Sequence, residues 1–334
     1  MPIHKPHWFS DKTVMVSTAP TCGLSKGGRL LKRIDAETGN YIQTKDPETG
    51  ALVDAVNDRL LEDMEVLDQL ASKPSTPLPE TLSFVPVENI DLGCAVPLYY
   101  DHRFTDYFRE AIAHDSTFKG FTYATLGKLQ EEGKIIIRGG HGSPSQEQRI
   151  GDVPYIKVSD LRAGHVNINP TNRVPQVVAE RFWRGQDSGL HAFDLICPER
   201  TSKNIGDFCV LMPGQEQVLM TKEMIVLRAA DDANFDQFYL LWAMTLKIVR
   251  DQWKRVVFMQ TNREDVGKRY LEILVPVPPN EERGMTVSEA FRNYYNTIAA
   301  ARINLEIYLA SDKRHHFFVS GAEAAVAESD EDQA

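Results

Sequence analysis

The hydrophobic pattern divides the chain into stretches of different period. Near the start, TVMVST reads as a short strand. LVDAVNDRLLEDMEVLDQL has leucines at mixed three- and four-residue spacing, which predicts a helix with an acidic outer face. The next span, KPSTPLPETLSFVPVEN, holds Pro74, Pro77, Pro79 and Pro86. Each proline fixes its own φ and pushes its predecessor out of the helical region, so a domain boundary is expected there. LYYDHRFTDYFREAI returns to roughly helical spacing. A zone of short strands follows, KIIIR, VPYIKVS, FCVLM and EMIVLRA, β-branched and aromatic and bounded by Gly, Pro, Asp and Asn.

From Phe235 to Trp253 the chain is apolar almost all round, which predicts one core helix too short and too charged at its end to cross a bilayer. YLEILVPVP gives a closing strand before Pro278-Pro279, and a last helix is expected to open with Thr286 and Glu289 at capping-box spacing. Behind them Phe291, Tyr294, Ile298, Ala301, Leu305 and Tyr308 alternate by three and four. That is a heptad seam, to be covered by a second copy, by helices of another protein or by its own domain. The fold class expected is α+β, a domain of short strands and packed helices followed by a heptad, coiled-coil-like helix. Its parts are an N-terminal segment (1–72), a Pro-rich linker (73–94), a main domain (95–280), a partner helix (284–310) and an acidic, disordered tail (321–334), which carries five acids and no base.

At 334 residues, 42% hydrophobic, the chain is long enough for a real buried core. Its net charge of -10 gives no global cationic field, so any nucleic-acid contact must be local. Residues 134–274 hold 19 basic and 17 acidic side chains, leaving that region +2 against -12 elsewhere. Cys22, Cys94, Cys197 and Cys209 form no C-x-x-C pair, which argues against a disulfide framework or a zinc site and for a reduced, cytoplasmic protein. No signal-peptide pattern opens the sequence and no membrane partner is implied.

Catalytic signatures are missing. There is no phosphate-binding G-x-x-x-x-G-K-[ST], no G-x-G-x-x-G between strand and helix, no H-E-x-x-H and no G-x-S-x-G. INPTN, around Pro170, has one proline and no aromatic residue, so it does not match the clamp an amino-methylating enzyme needs for a flipped base. His315 and His316 read as solvated surface. The chain is expected to be no enzyme and to hold no metal or cofactor.

Polar side chains suited to base edges or phosphates collect in three places. RGGHGSPSQEQR supplies Arg138, Gln146, Gln148 and Arg149 among three glycines; NINPTNR supplies Asn172 and Arg173; Lys247 to Arg269 supplies Lys254, Gln260, Asn262, Arg263, Lys268 and Arg269. By composition alone each reads as a solvated loop more readily than as a DNA contact.

Their order along the chain resembles the target-recognition domain of type I restriction-modification specificity subunits. The run ATLGKLQEEGKIIIRGGHGSPSQEQRIGDVPYIKVSDL carries the family's Gly-Ser-Pro loop (Gly142, Ser143, Pro144), its Pro-Tyr-Ile strand (Pro154, Tyr155, Ile156) and the closing Asp160-Leu161. NIGDFCVLMPG, FDQFYLLWAMTL, YLEILVPVPP and a heptad helix follow in the family's order, so the resemblance covers about 95–310. The chain departs from the pattern at MQTNREDVGKRY, where the family often has Gly-Ser or Gly-Thr, and in carrying one such domain where a full subunit carries two. Residues 13–65, with CGLSKGGRLLKR and NDRLLEDM, look like the tail of some adenine-N6 DNA methylases.

The resemblance implies a sequence-specific DNA-recognition subunit of a restriction-modification or phage-defence complex. Its partners would be double-stranded DNA, an adenine-N6 methyltransferase subunit that brings S-adenosylmethionine, and in a larger assembly a restriction or translocase subunit; a homodimer is the other candidate assembly. Under it, Arg138, Gln146, Gln148, Arg149, Asn172, Arg173, Asn262 and Arg263 are candidate DNA contacts, Lys254, Lys268 and Arg269 candidate phosphate anchors, and the heptad seam the partner interface. The alternative is a non-catalytic scaffold or inhibitor of a defence complex that uses the same fold to bind protein.

Overall fold

The computed structural model describes residues 12–311 and 314, apart from 26, 73–76, 92, 95 and 261–262; the side chains of 71, 72, 259, 260, 263 and 264 are likewise left out. The chain divides into two compact units between His102 and Arg103.

In the first unit β1 (Thr13–Ser17) pairs antiparallel with β4 (Leu82–Pro86), so the Pro-rich span contributes a strand of its own. Between them lie the antiparallel pair β2 (Gln43–Lys45) and β3 (Leu52–Asp54) and the helix α1 (Arg59–Ser72). The helix expected from Leu52 therefore begins only at Arg59: Leu52–Asp54 is extended, and the Asp58 carboxylate accepts from the Leu61 N–H at 2.9 Å, capping the new start. Two D-x-E-T-G turns have the same internal bonding. Asp35 accepts from the N–H groups of Glu37 and Thr38, and Asp46 from those of Glu48 and Thr49, at 2.7–3.0 Å. Buried Asp63 takes the Ser17 hydroxyl at 2.6 Å and the Thr81 hydroxyl at 2.7 Å, tying α1 to β1 and to the residue before β4.

The second unit opens with α2 (Arg103–His114), β5 (Thr122–Thr125), α3 (Leu126–Glu131) and β6 (Ile135–Gly139). It continues through β7 (Val153–Ile156), β8 (Leu161–Arg162), β9 (His165–Val166), β10 (Arg173–Val174) and α4 (Gln176–Trp183). Next come β11 (Leu195–Pro198), β12 (Cys209–Val210), β13 (Leu219–Met220), β14 (Met224–Ala229), α5 (Gln237–Thr245), α6 (Lys247–Arg250) and α7 (Trp253–Val256). β15 (Phe258–Gln260), β16 (Arg263–Asp265), β17 (Leu274–Val277) and α8 (Glu281–Ser311) complete it. The architecture is the mixed α+β of small sheets, packed helices and one long final helix.

Two sheets carry the unit, in strand orders β6-β14-β11-β12-β9-β8 and β10-β7-β13. The period of two along a strand sends alternate side chains to opposite layers. Leu195, Cys197, Ile225 and Leu227 enter the cluster shared with α2, α3, α5 and α8. Ile196, Met224 and Val226 meet Ile156 and Met220 of the smaller sheet. The other face of that sheet, through Val153, Tyr155 and Leu219, packs on Val178 and Ala179 of α4. With the central strands buried on both faces, each aliphatic side chain there contributes about 1.5–3 kcal/mol of burial.

The single helix expected over Phe235–Trp253 is broken: Leu246 turns extended at φ -58, ψ 133 between α5 and α6, and a turn at Asp251–Gln252, both still right-handed helical, separates α6 from α7. The break lets Gln252, 1% exposed, act as a strand partner: its amide donates to the Leu274 carbonyl and accepts from the Leu274 N–H, both at 2.9 Å. Nor does the last helix open at Thr286. It starts at Glu281, after Pro278-Pro279, where Asn280 Oδ1 accepts from the Arg283 N–H at 2.9 Å; Thr286 is interior and donates its hydroxyl to the Glu282 carbonyl at 2.9 Å.

Candidate nucleic-acid interface

After β6 the Gly-rich loop passes close over the β13–β14 connection. The Gly140 N–H donates to the Met224 carbonyl at 2.8 Å, and the His141 and Gly142 N–H groups donate to the Met220 carbonyl at 3.1 Å. A Cβ on Gly140 would strike the Thr221 carbonyl, and one on Gly142 the Phe182 ring. Those glycines are there for closeness of approach. His141 staples the loop: its Nδ1 accepts from the Met220 N–H at 3.0 Å and its Nε2 lies 2.9 Å from the Ser188 carbonyl oxygen. That pairing needs the neutral ring protonated on Nε2, and burial holds the pKa down at about 4. The Ser143 hydroxyl then meets that of Thr221 at 3.0 Å.

The loop ends beside β7, the central strand of the small sheet. Tyr155 is buried, and the cations of Arg149 and Lys157 lie 5.5 and 5.8 Å from its ring centroid. These residues, with Ser143 and Thr221, line an open concavity of about 700 Å³. Arg162 of β8 and Lys203, on the connection between β11 and β12, complete its cationic lining, and among the described residues Glu223 is the one acid on it. Two residues before Lys203, Thr201 holds φ at +59°, a region β-branched residues rarely enter.

The sequence candidates fall in several places. Arg149 lines the concavity, and Asn172 adjoins it by accepting from Lys157 Nζ at 2.8 Å. Gln146 and Gln148 sit on a short turn beside it; Gln146 is exposed, while Gln148 Oε1 accepts from the Ser145 N–H at 3.2 Å. Arg138 points instead toward the Ser188 carbonyl, 3.2 Å away, near the bidentate pair of Arg228 with buried Asp194 (both bonds 2.6 Å). Arg173 is 8% exposed and holds the Pro170 and Asp152 carbonyls at 2.7 and 2.8 Å, a loop-fastening position. Arg269 is similarly engaged, with the Val256 and Asp265 carbonyls at 3.0 and 2.9 Å and the Phe258 ring at 3.9 Å. Lys254 is exposed and paired with Asp251 at 2.6 Å, and Lys268 is exposed at the start of a short turn. Asn262 and the Arg263 and Gln260 side chains lie outside the described residues.

Lys157, Arg162 and Lys203 were not among the sequence candidates. Only Lys157 carried a legible signal: two residues after Tyr155 in an extended run, it shares that residue's side of the strand.

The heptad seam is divided. Phe291 and Ile298 pack against the unit's own core, joined there by buried Tyr295 and Ala299. Ala301, Leu305 and Tyr308 face outward, while Tyr294, about half exposed, has its hydroxyl 3.2 Å from His165 Nε2. Tyr295 also donates its hydroxyl to the Gly164 carbonyl at 3.0 Å, fixing the helix to the β8–β9 turn.

Among the described residues no group of three His, Cys, Asp or Glu is placed to hold a metal ion, and no helix is long and apolar enough to cross a membrane. No protein-family model matches the sequence, and no curated protein matches it. Among the solved structures to which the chain is similar at low identity are three proteins of restriction systems. The type I restriction-modification S subunit from M. genitalium has a TM-score of 0.36 and 13% identity, over 57% of this chain and 44% of that one. The HsdS subunit from Thermoanaerobacter tengcongensis has a TM-score of 0.35 and 15% identity, over 84% and 73%. The type IIG restriction endonuclease BpuSI has a TM-score of 0.42 and 10% identity, over 70% and 33%. The chain thus spans less than half the length of the M. genitalium subunit.

Proposed function

We propose that this chain is a sequence-specific DNA-recognition subunit of a restriction-modification or phage-defence complex, which directs an adenine-N6 methyltransferase partner to its site and does no chemistry of its own. The observation that carries the reading is the basic concavity. In an acidic protein, the Gly-Ser-Pro loop and the Pro-Tyr-Ile strand meet at a hollow lined by four cations and one carboxylate. That is the local positive field DNA requires. S-Adenosylmethionine belongs to the partner in this reading, and the outward side chains of α8 are the surface offered to that partner or to a second copy.

The test is sequencing of methylated adenines in the source genome with and without the gene. Loss or change of one methylated motif is the expected result. An unchanged pattern, with no salt-sensitive binding of duplex DNA by the purified chain, would overturn the reading in favour of a scaffold or inhibitor. That second reading has its own support in the first unit, where Leu24, Leu30, Ile34, Tyr41 and Leu52 are each about half exposed or more, as on a protein-binding surface.

A further inference from the structure

The concavity and the turn beside it differ in shape and chemistry, and we propose that they divide the work: the concavity seats a phosphodiester of one DNA strand, while the side chains of Gln146, on that turn, and Ile150, just past it, enter the groove. The inference rests on the DNA-recognition reading and assigns Lys157, Arg162 and Lys203 to the phosphate.

Shape is the first argument. Base edges lie at the floor of a groove about 8.5 Å deep, so only side chains that project reach them. A hollow receives a ridge, and the ridge of a duplex is its sugar–phosphate backbone. Chemistry is the second. Arg149, Lys157, Arg162 and Lys203 bring charge, and Ser143 and Thr221 bring hydroxyls, a donor set matched to phosphate oxygens. The Arg149 guanidinium is fastened by one bond, from an Nη to the Pro144 carbonyl at 3.3 Å, and among the described residues its buried Nε has no partner. Apart from Val158, the concavity's large apolar surface is Tyr155, whose ring already has two cations near it, leaving little for a base to stack on.

The turn has the opposite character. Gln146 and Glu147 are exposed on it, and Ile150, two residues past the short helical turn, is 78% exposed. A projecting amide and a projecting aliphatic group are the types that bond an adenine edge and touch a thymine methyl.

The experiment uses the full chain. A target is first enriched from a random duplex library, and binding of that duplex and of a scrambled one is followed by fluorescence anisotropy across a salt series. Arg162→Ala and Lys203→Ala, both at exposed positions, should weaken both duplexes alike, leave their affinity ratio unchanged and flatten the log–log salt slope by about 0.9 for each cation removed. Glu223→Gln should tighten both. Gln146→Ala and Ile150→Ala should lower the ratio with the slope unchanged. An unaltered slope in Arg162→Ala and Lys203→Ala, or a fall in their affinity ratio, overturns the phosphate assignment while DNA recognition stands. Absence of salt-dependent binding by the wild type overturns both.

Discussion

Acidification is expected to loosen the loop that carries Ser143 and Arg149, because His141 holds it only as a neutral ring. A second ring proton would turn Nδ1 from the acceptor of the Met220 N–H into a competing donor. Burial lowers the pKa from 6.5 to about 4, so the unfolded chain binds the proton more readily than the folded one. Stability therefore rises with pH: the contribution is fully present above about 6.5 and is lost as pH falls through 4. A gap of about 2.5 units at about 1.4 kcal/mol each sets a ceiling near 3 kcal/mol, of which about 2 is gone by about pH 5. Urea unfolding of the wild type and of His141→Gln, which keeps a donor and an acceptor but does not titrate, isolates the effect from the chain's other groups. Between about pH 7.5 and 5 the wild type should lose about 2 kcal/mol more than the variant. Equal losses would refute the argument that the neutral ring is what fastens the loop.

Four further outcomes follow from the packing. Gln252→Ala leaves the buried N–H and C=O of Leu274 without that partner and should cost about 2–4 kcal/mol by denaturant titration. Asp194→Ala strips the carboxylate from Arg228 and should cost about 3–5 kcal/mol, with Asp194→Asn recovering part of it in a thermal melt. Gly142→Ala drives a Cβ into the Phe182 ring and should cost about 1–3 kcal/mol, with DNA affinity falling although every cation is retained. Leu305→Asp should shrink the assembly seen by light scattering without lowering the melting temperature of the isolated chain, since that side chain faces outward.

What could be read from the sequence was local. β7, β14 and β17 lie within the apolar runs assigned to them, and β6 passes its run by one residue, Gly139, because β-branched side chains bounded by turn residues carry their own signal. Helix limits were less legible. The break at Leu246 has no Pro or Gly to announce it, and follows from packing in which the Gln252 amide replaces a strand neighbour 22 residues away. The early start of α8 hangs on one Asn cap just after two prolines. The concavity was harder still, since its cations come from a loop, two strand ends and a connection between strands, and none of those segments is basic enough to stand out. The same distance in sequence explains why two arginines chosen by composition have other work: Arg173 and Arg269 are surrounded by carbonyls that only the fold brings to them. A guanidinium bonded to buried backbone gives up those bonds if it reaches for DNA, at roughly 1.5–3 kcal/mol each. Exposed Lys203 and Arg162 face no such cost, which makes them better phosphate ligands than either arginine.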